Sequence, residues 1–338
     1  MKKHSQIEDR ALGCLWGLAL GDALGMPTQS LSRETIRRQF GGITRLMPAR
    51  PDQPIAPGMP AGSVTDDTEQ ALIVAQLLLD GDGSVDPRSF AQALISWEES
   101  MVARGSCDLL GPSTKAAISA LQSGDSPETA GRTGTTNGAA MRVAPVGIAH
   151  PPGVGLIDAV VSASRVTHHT GLGISGASAI AAAVSTGIAG KGVAAALQSG
   201  VDAAEQGASR GHWIAGASIP RRFAALRKHA QGLGATEFAD FLYDVVGTSV
   251  QSQESVVSAL LIVDRFQTTP FEGLCCAASL GGDTDTIGAM AGAVLGATHG
   301  MSAFPEHALE TVAAVNDLPL SRLAHQLFDL RSATSKES

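Results

Sequence analysis

The sequence predicts an all-α fold, a single large compact helical domain over residues 1–330 followed by a polar tail at 331–338. Three observations carry this expectation. Apolar residues recur at helical spacing through most of the 338-residue chain, and no convincing series of alternating strands appears. Gly and Pro punctuate most of the intervals between these stretches. Hydrophobic content is 44%, enough for a sizeable core, yet aromatics are only 4%, so a core rich in Ala and Gly implies closely approaching helices.

The first helix is expected from about Ile7 to Leu24, with Leu12, Leu15, Trp16, Ala19 and Leu20 on one face, running into Gly21-Asp22-Ala23-Leu24-Gly25. A short helix follows at 33–40. Residues 41–64 carry Pro48, Pro51, Pro54, Pro57 and Pro60, which neither a helix interior nor a central strand tolerates. Loops this long inside compact domains are usually functional or disordered. This one reads as a mobile wall or lid over a site, with a plain connection as the alternative. Further helices are expected near 69–80, 87–104, 113–123, 156–166, 172–189, 191–206, 218–231, 236–247, 252–267, 271–279, 286–299 and 305–315. Within the 286–299 helix, Gly288, Gly292 and Gly296 recur every fourth residue. Each costs about 1 kcal/mol of helix stability relative to Ala, so close backbone contact is the expected compensation. The tail from Arg331 is expected to fray.

A net charge of −8 argues against a general nucleic-acid surface, which needs a basic patch. A bound anion would have to rely on helix N-termini and a few placed cations. Four cysteines, with Cys275 and Cys276 adjacent and no CxxC spacing, read as buried thiols in a reducing cytosol. Met1 to Gln6 lacks the apolar region of a signal peptide. The apolar run 274–297 is interrupted by Asp283 and Asp285 and makes a poor membrane span. These features point to a cytoplasmic protein with neither nucleic acid nor membrane as partner.

Two acidic clusters stand apart: Thr65-Asp66-Asp67-Thr68 and Gly281-Gly282-Asp283-Thr284-Asp285-Thr286. Each gathers carboxylates and hydroxyls directly ahead of a long apolar run. Helix capping accounts for one Asp or Thr at such a start, but not readily for adjacent carboxylates repeated at a second helix. Oxygen-only donors suit a hard divalent cation such as Mg²⁺ or Mn²⁺, which takes about six oxygens. Either cluster alone supplies too few, and together they would supply a shared binuclear site.

With these residues in place the chain resembles the ADP-ribosylglycohydrolase family, from about residue 8 to about residue 300. The anchors are Gly17 through Gly25, Thr65-Asp66-Asp67-Thr68, Asn137-Gly138-Ala139-Ala140-Met141-Arg142, Thr167-His168 and Gly281 through Gly288. The resemblance implies an all-α fold with two divalent cations, Mg²⁺ or Mn²⁺, in a central binuclear metal cleft. Carried over residue by residue, Thr65, Asp66, Asp67, Asp283, Asp285 and Thr286 would be the ligands, with Thr284 pointing away. The implied reaction is hydrolysis of a ribosyl glycosidic bond in an ADP-ribosylated protein side chain or a small ADP-ribosyl conjugate. Such a bond breaks through an oxocarbenium-like transition state, which carboxylates and an activated water assist.

By the same resemblance Asp67 and Asp285 belong to the catalytic machinery. Asp108 is a weaker candidate for proton transfer, displaced by one residue from the Asp-Gly pair of relatives. Asn137 and Gly138 form a turn suited to phosphate or ribose. Arg142 would meet a pyrophosphate or form a structural ion pair, and His168 would line the cleft or pack. Asp22 would organise the first cluster from behind, or cap a turn. Many relatives carry a glutamate that reaches the metal site and gates substrate entry where this chain has Gln29, so Gln29 is expected beside the substrate, but a glutamine supplies neither the charge nor the proton. Two alternatives therefore stand beside the leading reading: an enzyme acting on a smaller N-riboside or nucleoside, and a catalytically silent ADP-ribose-binding module. The complete ligand set favours an enzyme.

Overall fold

A computed structural model describes residues 6–103, 110–153 and 155–337, with side chains as far as residue 333. The helices are α1 (Gln6–Gly25), α2 (Arg33–Phe40), α3 (Asp66–Asp80), α4 (Pro87–Ala103), α5 (Pro112–Gln122), α6 (Gly138–Met141), α7 (Ala144–Ala149), α8 (Leu156–His168) and α9 (Gly171–Ile188). They continue with α10 (Gly192–Gly207), α11 (Ile219–Ala230), α12 (Ala235–Phe241), α13 (Ser252–Arg265), α14 (Pro270–Ala278), α15 (Thr284–His299), α16 (Glu306–Asn316) and α17 (Leu320–Glu337). A π turn at Leu242–Val246 extends α12. Among the described residues there is no strand, only two isolated bridges, Thr136 with Gln251 and Thr170 with His212. The expected all-α class is observed.

The centre of the molecule is an antiparallel seam between α1 and α15. A Cβ added to Gly13 would lie 2.6 Å from the Gly296 carbonyl oxygen, and one added to Gly288 would lie 2.5 Å from that of Gly21. Gly17 and Gly292 face each other in the same register. Side chains of any size would push the two backbones apart, so the glycines expected to be crowded are crowded against each other. The seam sets the C-terminal end of α1, with Asp22, beside the N-terminal end of α15, with Asp285.

Helix α9 lies against α15 and is flanked by α6, α7, α8 and α10. It is long and apolar enough to cross a membrane, with a mean hydropathy of 1.4, but 94% of it is buried inside the protein. It is a core helix of this fold.

Residues 41–64 form a wall without regular structure. Ala49 and Ala56 pack on Met26, Ala49 N–H bonds the Met59 carbonyl at 2.9 Å, and Asn316 bridges Gly62 O and Val64 N at 2.8 and 3.0 Å.

Three helices were not expected from the sequence. Helices α6 and α7 are single turns, and Pro145 starts the second of them, where a missing N–H costs nothing. In α17, the core residues Leu320, Leu323, Ala324 and Leu327 do follow helical spacing. The expected frayed tail is corrected at Arg331. That residue is buried, and its guanidinium donates to the carbonyls of Gly147, His150 and Ser185 at 3.1, 2.6 and 3.1 Å. It thereby brings a cation to carbonyls at the C-terminal ends of α7 and α9. Cys14, Cys275 and Cys276 are free thiols. Asp108 lies outside the described residues.

Candidate active site

The two acidic clusters meet at the end of the α1–α15 seam. Thr65 and Asp283 are the N-cap residues of α3 and α15, and neither side chain caps its own helix. For α3 the capping comes from α1. The buried Asp22 carboxylate accepts from the backbone N–H of Thr65 at 2.9 Å and of Thr68 at 3.2 Å, and from the Thr68 hydroxyl at 2.5 Å. Because Asp22 satisfies these amides, Asp66 and Asp67 are left to face elsewhere. Simple capping therefore does not explain the first cluster. Thr65 Oγ1 stands 2.8 Å from Asp22 Oδ1 and 3.1 Å from Asp67 Oδ2, and its single proton serves one of them at a time.

The second cluster arrives through Gly281 and Gly282, both in the left-handed region at φ 93° and 80°. A Cβ at Gly282 would lie 2.7 Å from Thr248 Oγ1, so glycine is needed there for space as well as for conformation. Thr286 Oγ1 then stands 3.3 Å from Asp67 Oδ2, which joins the two clusters directly. Thr284 turns away, as expected, and donates to the Gly25 carbonyl at 3.0 Å.

Burial dominates the electrostatics. It pushes Asp22 and Asp283 up to about 6 and, together with neighbouring carboxylates, raises Asp66, Asp67 and Asp285 well above the usual range. Asp67 Oδ1 is buried without any hydrogen-bond partner. An orphaned carboxylate oxygen among other carboxylates and hydroxyls is the environment a hard cation satisfies, so the donor set fits a divalent ion. Among the described residues no three His, Cys, Asp or Glu side chains stand in a ready cation-binding geometry. The binuclear centre itself is thus not shown by this structure.

Asp66, Asp283, Asp285 and Thr286 open into a cleft of about 160 Å³. Its other walls include Gln29, Ile55, Thr114, Thr136, Asn137 and Gly138. Asn137 lines the cleft, but its amide is committed: Nδ2 donates to Asp283 at 2.5 Å and to Ser255 at 2.9 Å. Gly138 is small because a Cβ there would lie 2.8 Å from the His168 ring.

For Arg142 and His168, candidates for substrate contact or for a structural role, the geometry favours the structural alternative. Arg142 is 1% exposed and His168 is 0% exposed, both behind the cleft wall. Arg142 donates to Gln70 Oε1 at 2.6 Å and to the Thr167 hydroxyl, and its guanidinium lies 4.9 Å from the Phe90 ring centre. Gln70 Nε2 in turn donates to Asp66 Oδ2 at 2.9 Å. Thr167 lies 2.7 Å from His168 Nδ1, and His168 Nε2 lies 2.9 Å from Thr136 Oγ1. Burial holds His168 well below the ordinary imidazole range, so it stays neutral. Since Thr167 accepts from Arg142, its own proton goes to Nδ1, and Nε2–H donates to Thr136. Both residues brace the cleft from behind. Gln70 was missed in the sequence, although it sits one helical turn from Asp66, where an i, i+4 pair would have revealed it.

A sequence profile of the ADP-ribosylglycohydrolase family matches residues 3–337. The chain belongs to the ADP-ribosylglycohydrolase family. It is 36% identical over 326 residues to YegU, an uncharacterized protein of Escherichia coli K12, covering 96% of this chain and 97% of that one. It is 28% identical to the ADP-ribosylarginine hydrolase Tri1 of Pseudomonas putida, covering 96% and 79% respectively. A solved structure described as an ADP-ribosylglycohydrolase-related protein complex superposes with a TM-score of 0.71 at 25% identity, covering 96% of this chain and 99% of that one. This family member is a hydrolase of glycosidic bonds, and the family acts on ADP-ribosyl conjugates.

Proposed function

We propose that this enzyme hydrolyses the bond between the anomeric carbon of ADP-ribose and a protein side chain or small leaving group, with two divalent cations as cofactors. Mg²⁺ is the expected occupant and Mn²⁺ an alternative, held by Thr65, Asp66, Asp67, Asp283, Asp285 and Thr286. The orphaned Oδ1 of Asp67, the carboxylate whose other oxygen meets Thr286 of the second cluster, carries the reading. Bound there, the cations would supply an anchor for the ribose diol and an acidified water. The protein's own part is positional. Asp22 and Gln70 hold the first cluster, Asn137 holds Asp283, and Asp285 in the cleft wall, with Asp67 beside Thr286, would place negative charge near a ribose that becomes cationic at its anomeric carbon. The free thiols accord with a cytoplasmic setting.

The cleft of about 160 Å³ is below the roughly 300–1,000 Å³ of sites that enclose drug-sized ligands, so it suits the ribose end of the substrate. The test is release of ADP-ribose from ADP-ribosyl-arginine and ADP-ribosyl-serine peptides, with Mg²⁺ or Mn²⁺ and with chelator. Cation-dependent release that Asp285→Ala abolishes supports the reading, and an unaffected Asp285→Ala variant sinks it.

A second reading, a hydrolase of a smaller N-riboside, draws on Arg142, which is 1% exposed and turns its two terminal nitrogens to Gln70 and Thr167, away from any pyrophosphate. Release of a free base from a nucleoside, with the peptides left intact, would select it.

A further inference from the structure

Gln29 lines the cleft, and the proposed reaction leaves its chemistry unassigned. It is 7% exposed, and its side-chain nitrogen Nε2 is buried with no hydrogen-bond partner. The cleft it lines also carries Asp66, Asp285 and Thr286. A buried amide N–H without an acceptor is costly in a folded protein. Here carboxylates share the same cleft, and still none of them accepts from it.

The position of this donor is fixed from several sides. The Gln29 N–H bonds the Gly25 carbonyl at 3.0 Å, continuing the end of α1. Its own carbonyl accepts from Gln53 Nε2 at 2.9 Å. Gln53 is itself buried and locked, since its Oε1 accepts from the backbone of Ile55 at 2.6 Å and of Ala56 at 2.5 Å. The next residue, Ser30, takes the left-handed conformation at φ 60°, unusual for a residue with a Cβ, and donates to the Gly282 carbonyl at 2.7 Å. The turn bearing Gln29 is thus tied to the proline-rich wall on one side and to the Asp283 cluster on the other. All of these ties run through the backbone of residues 29 and 30, so they survive a change of the Gln29 side chain.

Charge argues for an amide here. Asp22, Asp66, Asp67, Asp283 and Asp285 already bring five carboxylates together. Two divalent cations would offset four of those charges, and a sixth carboxylate would leave the centre more anionic. A glutamine adds a donor and no charge, and what a donor requires is an acceptor oxygen. The ribose of an ADP-ribosyl ligand offers several: its hydroxyls, its ring oxygen and the linkage oxygen.

We propose that Gln29 is a substrate-selecting residue of this cleft, donating Nε2–H to an oxygen of the bound ribose. The inference rests on the reading that a riboside occupies the cleft. It gives Gln29 a role toward the substrate, as a neutral donor, and none toward the cations.

The experiment is calorimetry on the full-length chain, with Mn²⁺, ADP-ribose and adenosine as probes and Gln29→Met and Gln29→Glu as variants. Methionine keeps the length of the side chain and removes the donor, and glutamate keeps its shape and reverses its polarity. The expected result for Gln29→Met is Mn²⁺ affinity within twofold of wild type and ADP-ribose affinity of the Mn²⁺-loaded protein reduced about five- to tenfold. Gln29→Glu is expected to lose at least as much ADP-ribose affinity. Unchanged ADP-ribose binding by Gln29→Met would overturn the assignment. So would a parallel loss of Mn²⁺ affinity in that variant, which would make Gln29 a metal ligand. Wild-type protein that takes adenosine but not ADP-ribose would overturn the ADP-ribosyl reading alone, and a five- to tenfold loss of adenosine by Gln29→Met would still support Gln29 as the donor. Wild-type protein that takes neither overturns both.

Discussion

Asp22 accepts both the backbone N–H of Thr65, at 2.9 Å, and its hydroxyl, at 2.8 Å. The two residues lie 43 positions apart in sequence, and this contact makes one helix the N-terminal cap of another. It explains how a helix can begin with two carboxylates and commit neither to its own amides.

Asp22→Ala should therefore be costly without touching any cation. It leaves the buried donors of Thr65 and Thr68 without acceptors, at about 1–3 kcal/mol each. The expected loss in the metal-free protein is at least about 3 kcal/mol, read by chemical denaturation. A loss under about 1 kcal/mol would mean that water or another group replaces the carboxylate.

The glycine seam gives a second prediction. At Gly292, as at Gly17, an added methyl meets the opposing backbone and cannot be accommodated by a side-chain shift. Gly292→Ala should destabilise by roughly 1–3 kcal/mol or more despite its gain in helix propensity. Gly232→Ala, where the nearest atom is 3.9 Å away, should stay within about 0.5 kcal/mol. Equal effects at the two positions in thermal unfolding would contradict the packing account.

Much of this was legible in the sequence. The spacing of Gly288, Gly292 and Gly296 announced a close contact, and two carboxylate clusters ahead of apolar runs announced a shared centre. What the sequence could not show was the partner: that the glycines face Gly21, Gly17 and Gly13 is a matter of register between helices far apart in the chain. The choice between substrate contact and structural role at Arg142 and His168 was open for the same reason. Residues beside a turn read equally as ligand contacts or braces until Arg142 is seen bonded to Gln70 and Thr167, and His168 to Thr167 and Thr136. The short helices α6 and α7 are below the length at which periodicity means anything. α17 was missed through its polar end, although Arg331 is the residue that anchors it.

Proton linkage supplies a third prediction. Burial raises Asp283 to about 6 and, with neighbouring carboxylates, raises Asp66, Asp67 and Asp285 well above the usual range, so in the metal-free chain these groups hold protons that the unfolded chain would release. Asp283's contribution to stability is present below the ordinary carboxylate value of 3.8 and is lost as pH rises through about 6, and the other three act in the same direction. Cation binding displaces those protons, so affinity for Mn²⁺ should fall as pH is lowered through 6. The gap in Tm between Mn²⁺-loaded and metal-free protein should widen from pH 5 to pH 8. A gap that stays constant would show that the carboxylates do not hold the ion.

Arg142 separates bracing from binding. Arg142→Lys removes the planar fork that reaches Gln70 and Thr167 together, and should cost roughly 2–4 kcal/mol of stability. The ADP-ribose affinity of the folded fraction should stay within about threefold. Intact stability with binding weakened more than tenfold would return Arg142 to the substrate.

The proposed cation site joins clusters about 220 residues apart, which the 3.3 Å approach of Thr286 Oγ1 to Asp67 Oδ2 brings together. Titration of Mn²⁺ into the metal-free protein tests it most directly, with Asp67→Asn from the first cluster and Asp285→Ala from the second. The account predicts two equivalents bound by the wild type, and in each variant a loss of affinity at least tenfold for the pair. Two equivalents bound by Asp285→Ala with unchanged affinity would contradict it.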